Sequence, residues 1–383
     1  METSTDLIRE NHNLLKDCIS YELLQKNKPI FHAYRNFCRT IGQDVMNYPD
    51  FEFWYYRFYH GEHNFDYDRS ADPEPKTLMD MPVKLMHKIG EYLDPVERTY
   101  FRSMNHAIKN VADSLPPNFE KIDIQVSNTS MDWKLNNHSF WCSKKGSGCT
   151  IFKNSSKVKE SKECHLKTSF EYLAPVLKKA NLSVNHFSLT LFDEVIDRDD
   201  LLPVSLNAKS AFIYAQTTIK LVEFLTAITP GHLESICIDG LHLKEGETYG
   251  LIFETDQFKQ AKSVEFKSSF NVADLVHFSH LKSFKCFLTS ENTFEDVPRM
   301  RDIISTFETL ESCEMRYNGV SDDSPTREFA GALGAEIPIG PLREGEYLTI
   351  THRYQIPESN ERLEFKIKEE GEYSCLVNIV KIR

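Results

Sequence analysis

The chain has 383 residues, 40% of them hydrophobic and 27% charged, which is enough for two or three domains and at least one large core. Its formal net charge of -12 argues against a general binder of nucleic acid or anionic membrane, since either favours a basic face. Nine thinly spread cysteines, a charged N-terminal stretch and no apolar run near the ~20 residues of a membrane helix point to reduced thiols in the cytosol or nucleus.

Residues 1–68 read as a small helical bundle. An amphipathic stretch begins with Leu15, Cys18, Ile19 and Glu22. Ile30, Tyr34, Phe37, Cys38 and Ile41 recur at helical spacing, with Pro29 suited to a first turn and Gly42 to a stop. A third helix is expected from near Asp50, carrying Phe51, Trp54, Tyr55 and Phe58 to Gly61. The polar, proline-bearing residues 69–77 then form a linker.

In residues 78–115, Leu85, Met86, Ile89, Tyr92 and Leu93 make a broad apolar stripe behind Pro82. Asp94-Pro95 supplies an N-cap and a first-turn proline. Val96, Tyr100, Met104, Ile108 and Val111 continue at helical spacing toward the end of that block.

From Phe119 the pattern becomes β-like. "EKIDIQV" alternates as a strand should, "CSKKGSGC" reads as a turn, and "KNSSKVKESKECHLK" reads as a loop or connector. Residues 116–169 are therefore expected to form a strand-rich connector to a domain over 170–383. Within that domain a short pattern recurs: "AKSAFI" from Ala208, "LESICI" from Leu233, "AKSVEF" from Ala261, "LKSFKC" from Leu281 and "LESCEM" from Leu310, with "VNHFSL" from Val184 a looser copy. The steps run from 20 to 29 residues, with amphipathic stretches between. A strand and a helix at this period suit a leucine-rich-repeat-like α/β solenoid, and an ordinary α/β sheet is the alternative. The fold class is thus α+β and multidomain.

No phosphate-binding glycine loop, G-x-S-x-G elbow or H-E-x-x-H segment occurs. Cys142, Cys149, Cys164 and His165 lack the close pairs that pre-organise zinc ligands. The acidic run "DEVIDRDD" lacks the alternating oxygens around a central glycine of a calcium loop. No catalytic, metal or cofactor-binding residue is assigned, and no cofactor is expected.

The stretch "LMDMPVKLMHKIGEYLDPVERTYFRSM" resembles an F-box, with Met81-Pro82 where that motif usually has Leu-Pro. It departs from the motif after the second helix, where "NHAIKN" holds neither Trp nor Arg. The resemblance implies three helices that dock on a Skp-type adaptor and through it on a cullin-RING ubiquitin ligase. It implies adaptor contacts at Pro82, Leu85, Met86, Ile89, Leu93, Val96 and Phe101. Upstream, Arg35-Asn36, Ile41-Gly42, Asp44-Val45, Trp54, Arg57-Phe58 and Gly61 resemble the helix-turn-helix domain of mariner-type transposases, as found before some nematode F-box proteins. Downstream, the chain resembles the FTH domain of the same proteins, above all at "ITHRYQIPESNERLEFKI". Together these imply a non-enzymatic substrate-receptor subunit, cytoplasmic or nuclear, that holds an unidentified protein target on the FTH domain.

The rival is a DNA-binding regulator derived from the transposase domain. Up to Thr77 the chain carries 9 Lys and Arg against 13 Asp and Glu, a poor provision for phosphate contacts. Neither DNA nor membrane is therefore an expected partner.

Overall fold

The computed structural model describes residues 11–24, 29–42, 45–68, 80–179, 181–193, 196, 198–202, 205–241, 248–289, 292–318, 324–338, 347–371 and 373–383. The expected linker 69–77, together with Leu78, Met79 and Asp44, lies outside these residues. Two compact units are present, Met1–Asp80 and Met81–Arg383.

The described part of the first unit is helical: α1 (His12–Leu24), α2 (Ile30–Ile41) and α3 (Tyr48–Tyr59). Gly42 ends α2 with φ 133°, a conformation other residues disfavour, and its N–H donates to the Cys38 carbonyl at 2.9 Å. The third helix starts ahead of Asp50 because the Asn47 side chain accepts the Asp50 N–H at 2.9 Å and Pro49 fits the first turn. Leu15, Ile19, Ala33, Phe37, Ile41, Phe51, Trp54 and Phe58 form its core. Lys16 closes one end, donating to the Phe65 carbonyl at 2.6 Å with its ammonium 4.1 Å from the Trp54 ring centre.

The second unit opens with α4 (Val83–Tyr92), α5 (Glu97–Ser103) and α6 (His106–Ser114). The helical spacing from Val96 to Val111 runs across two helices. It breaks at Asn105, whose backbone is extended and whose side chain accepts the Ile108 N–H at 2.9 Å to cap α6. Then follow β1 (Asn118–Val126), β2 (Ser130–Leu135), β3 (His138–Lys145), β4 (Gly148–Lys153) and β5 (Ser156–Ser161). Next come α7 (His165–Leu177), β6 (Ser183–Leu191), α8 (Arg198–Leu201), β7 (Asn207–Tyr214), α9 (Thr218–Leu225) and β8 (Ser235–Asp239). After them come α10 (Gly250–Phe253), α11 (Asp256–Gln260), β9 (Ser263–Phe270), a 3-10 helix (Val272–Phe278), β10 (Ser283–Thr289), α12 (Thr293–Ser305) and β11 (Ser312–Asn318). The chain ends with α13 (Pro325–Ala332), β12 (Thr349–Gln355), β13 (Arg362–Glu369) and β14 (Ser374–Ile382).

All these strands share one 14-stranded mixed sheet, ordered β12-β13-β14-β11-β10-β9-β8-β7-β6-β1-β2-β3-β4-β5. β1 and β6 to β11 run parallel, and the strands at both ends are antiparallel. The stretch 154–165, expected as a loop, instead turns through Asn154 and Ser155, both with positive φ, and forms β5 and the start of α7. Its sequence hid the strand because an edge strand exposed along its length needs no apolar alternation. β1 to β5 continue the sheet of the following strands, since β1 pairs with β6.

Each recurrent segment begins a strand, and the shared serines Ser210, Ser235, Ser263, Ser283 and Ser312 stand side by side in register. The charged residue before each serine pairs with its neighbours: Glu234 with Lys262 at 2.9 Å and Lys209 at 4.0 Å, and Lys282 with Glu311 at 3.1 Å. Such exposed pairs are screened by solvent, so they favour the register more than they stabilise the sheet. The step length wanders because the crossovers differ: the shortest, between Ala261 and Leu281, holds only the 3-10 helix. One face of the sheet is buried by alternate residues such as Ile236, Ile238, Val264, Phe266, Phe284 and Met315, with Phe224, Phe253, Phe278 and Ile304 packed from the crossovers. The opposite face keeps Phe212, Cys237, Glu265 and Arg316 half-buried.

Gly148 tests how tightly the edge hairpin closes. A Cβ there would lie 2.2 Å from the Ser161 carbonyl oxygen. Gly148→Ala should therefore lower stability by about 1–3 kcal/mol, the usual cost of overpacking, read as a lowered urea midpoint.

Candidate functional site

The α4–α6 block holds the seven residues expected to meet an adaptor. α4 carries two apolar stripes. Met86 and Gly90 are buried and Leu93 is half-buried, facing inward. Gly90 is the point of closest approach: a Cβ there would sit 2.5 Å from Leu115 Cδ1 and 3.8 Å from Phe101 Cε1. The second stripe is Leu85, Ile89 and Tyr92, spaced i, i+4 and i+7 on one helix face. Leu85 is 46% exposed and Tyr92 91% exposed, with Ile89 half-buried between them. On the following segment Phe101 points inward, whereas Tyr100 and Met104 stay 56% and 62% exposed.

Two polar side chains fix the block. Asp94 Oδ1 accepts the Val96 N–H at 2.7 Å and the Glu97 N–H at 2.9 Å, and Glu97 reaches back to the Asp94 N–H at 3.0 Å. This reciprocal cap starts α5. Arg98 Nε donates to the carbonyls of Gly90 at 2.7 Å and Leu93 at 2.9 Å, and its Nη1 donates to Pro116 at 2.8 Å. It thereby satisfies carbonyls at the end of α4 that the helix itself leaves without donors. Burial pushes the Arg98 guanidinium down from its usual range, yet arginine stays charged. Arg102 and Asp113 staple α5 to α6 at 2.6 and 3.2 Å, and that contact holds the Asp113 carboxyl below the usual carboxylate range.

The block is also fastened to the sheet. Val96 belongs to the sheet's core, His138 Nε2 lies 3.0 Å from Asp94 Oδ2, and the Lys153 ammonium meets the Tyr100 hydroxyl and ring. Asp94, Glu97 and His138 bring their ligand atoms within 4.8 Å of one another, but those atoms already serve the cap and the β3 contact. Cys142 and Cys149 are buried under α7, Cys164 caps that helix from the surface, and His165 bonds the Ser127 carbonyl at 3.0 Å. Burial and the neighbouring Cys149 push the Cys142 thiol up to about 12, the range of an inert structural thiol.

The seven expected residues thus divide. Pro82 and Leu85 are exposed, Ile89 and Leu93 are half-buried, and Met86, Val96 and Phe101 are buried within the unit. Tyr92 and Met104, not among the seven, are more exposed than Leu85. The i, i+7 relation of Tyr92 to Leu85 was the signal for the first.

Comparison with known families and proteins adds the following. Residues 12–62 match the HTH domain in Mos1 transposase, and residues 203–333 match the FTH domain. The chain carries both domains. It is 29% identical over 324 residues to "F-box A protein 224" of Caenorhabditis elegans, covering 79% of this chain and 83% of that protein. It is 23% identical over 330 residues to "F-box A protein 155" of the same organism, covering 81% and 79%. No solved structure matches. The HTH match takes in α1 to α3, and the FTH match runs from before β7 to the end of α13. In the HTH domain, α3 turns Phe51, Trp54 and Phe58 into the core, and Arg57 is held by Glu62 at 2.8 Å and by the Tyr67 ring at 3.8 Å.

Arg98 should prove to be the block's main polar fastening. Arg98→Ala should cost about 2–3 kcal/mol, because hydrogen bonds to a charged group are lost and carbonyls are left without donors. Arg98→Lys should recover little, since an ammonium cannot present the planar fork. Loss of amide-exchange protection confined to residues 83–114 would check both.

Proposed function

We propose that this chain is the substrate-recognition subunit of an SCF-type cullin-RING ubiquitin ligase. Residues 78–115 act as the F-box, and the FTH region, a leucine-rich-repeat-like scaffold within 170–383, holds the protein target. The observation that carries this reading is the outward stripe Leu85, Ile89 and Tyr92 on a block whose inner side is already packed and capped. An apolar helix face left over after internal packing is the form a groove-binding anchor takes. The names of the two nematode relatives support it independently. Pro82, Leu85 and Ile89 touch the adaptor, while Met86, Leu93, Val96 and Phe101 shape the face from beneath.

The chain itself performs no chemistry in this reading. It raises the effective concentration of target lysines near a charged conjugating enzyme held by other subunits. No helix among the described residues is long and apolar enough to cross a membrane, and all nine cysteines are free thiols, which suits the cytosol or nucleus.

The test is co-purification with a Skp-type adaptor and a cullin. The wild type should co-elute with both, and Leu85→Asp with Ile89→Asp should abolish this with unchanged circular dichroism, because two carboxylates would be buried unpaired. A wild-type chain that does not bind the adaptor would end the proposal.

A second reading, DNA binding by the HTH domain, has one observation in its favour: His32, Arg35 and Arg39 lie exposed along α2. Against it stand the acidic balance of the first 77 residues and the engaged Arg57. A gel-shift titration with random duplex DNA at low salt should give no shift. A salt-sensitive shift lost on Arg35→Ala, Arg39→Ala would establish DNA binding by this domain.

A further inference from the structure

The two edges of the sheet are built differently. β5 is exposed along its length, carries Lys157, Lys159 and Glu160, and pairs with β4 through a register shift between Ile151 and Phe152. Charges and bulges of this kind discourage strand addition. β12 at the other edge pairs with β13 from Thr349 to Gln355 without a shift. Among the described residues no strand lies on its far side.

The face at this edge is basic. Thr349, Thr351, Arg353 and Gln355 of β12 are exposed, and opposite them on β13 stand Lys368, Lys366, Glu364 and Arg362 on the same face. Glu364 is taken by Arg353 at 2.7 Å. Among the described residues, Arg362, Lys366 and Lys368 are in no ion pair. Cations further into the sheet are paired: Lys285 with Glu314 at 3.2 Å, Arg316 with Glu370 at 2.7 Å and Lys267 with Asp239 at 3.9 Å. In a chain of net charge -12, three cations on one strand, unpaired among the described residues and beside an edge that no described strand covers, are a local exception.

We propose that the β12 edge receives an extended acidic segment of a partner protein by strand addition. Its backbone pairs with β12, and Asp or Glu side chains at alternate positions lie across Thr351 and Thr349 toward Lys366 and Lys368. Neighbouring strands are about 4.8 Å apart, so the added strand lies roughly 10 Å from β13. The threonines are short enough for a lysine and a glutamate to meet above them. Main-chain pairing supplies affinity in such sites, and the charges select an acidic partner over a basic one. This extends the receptor reading by naming the class of target segment, and its test needs no adaptor, so the two stand or fall by separate measurements.

The probe is a fluorescein-labelled eight-residue peptide alternating Glu and Val, titrated into the full chain by fluorescence anisotropy. Saturable binding is expected, weakened at least tenfold when Gln replaces Glu. The same loss is expected for the Lys366→Glu, Lys368→Glu variant, a surface change that leaves circular dichroism unaltered. N-methylation at every second residue, made in both frames, should abolish binding in one frame only, since only alternate amides face β12. Equal binding by both N-methylated peptides would overturn strand addition, and undiminished binding to the double variant would overturn the basic face. Absence of binding by the Glu/Val peptide, or its displacement by a lower concentration of duplex DNA, would overturn the acidic-peptide assignment.

Discussion

Successive side chains along a strand point to opposite faces, and the second unit is organised by what that alternation allows. A sheet of fourteen strands can bury apolar residues only where something packs on it, and here the crossovers lie over a single core. Phe224, Phe253, Phe278 and Ile304 come from four crossovers of different length and type, yet join one cluster. The face they cover becomes dry and apolar. The other face is left to hydroxyls, paired charges and half-buried aromatics, the composition of a surface that can meet a partner without aggregating.

The helical block obeys a related economy on a smaller scale. About thirty residues in short helices cannot bury all their apolar side chains against one another. Met86, Gly90 and Phe101 take the interior, Val96 is lent to the sheet, and the remainder stays outside. Polar side chains rather than apolar packing then set the geometry. Asp94 joins the α5 start to His138, and Arg98 joins the end of α4 to the chain entering β1. The stripe left facing outward is thus held on a fixed support.

How much of this was legible depends on whether the deciding interaction is local. The cap at Asp94, the stop at Gly42 and the broad apolar stripe of α4 follow from nearby residues, and the sequence displays them, whereas the cap at Asn47 was missed and the helix read from near Asp50. The serine at each strand start was visible as a repeat because parallel neighbours impose the same environment on every copy. β5 was not legible, since a strand exposed along its length has no apolar period to show. Nor was the membership of β1 to β5 in the main sheet, which rests on β1 pairing with β6 some sixty residues later. Among the seven expected residues, periodicity picked out one apolar helix but could not tell its inward stripe from its outward one. Met86 and Leu85 are adjacent and equally apolar, and only the position of Leu115 and Phe101 beyond Gly90 decides between them.

The strand order also fixes a length. β1, beside which the helical block is anchored, is separated from β12 by eight intervening strands. At about 4.8 Å per strand that is a path on the order of 40 Å across the sheet. In the proposed receptor, a segment held at β12 would lie at the end of that path from the α4–α6 block, on a hydrogen-bonded body that cannot fold up to shorten it. The sheet would then act as a ruler. It would favour as acceptors those lysines on the bound protein that lie on the side turned toward β1, or on flexible stretches long enough to cross the interval.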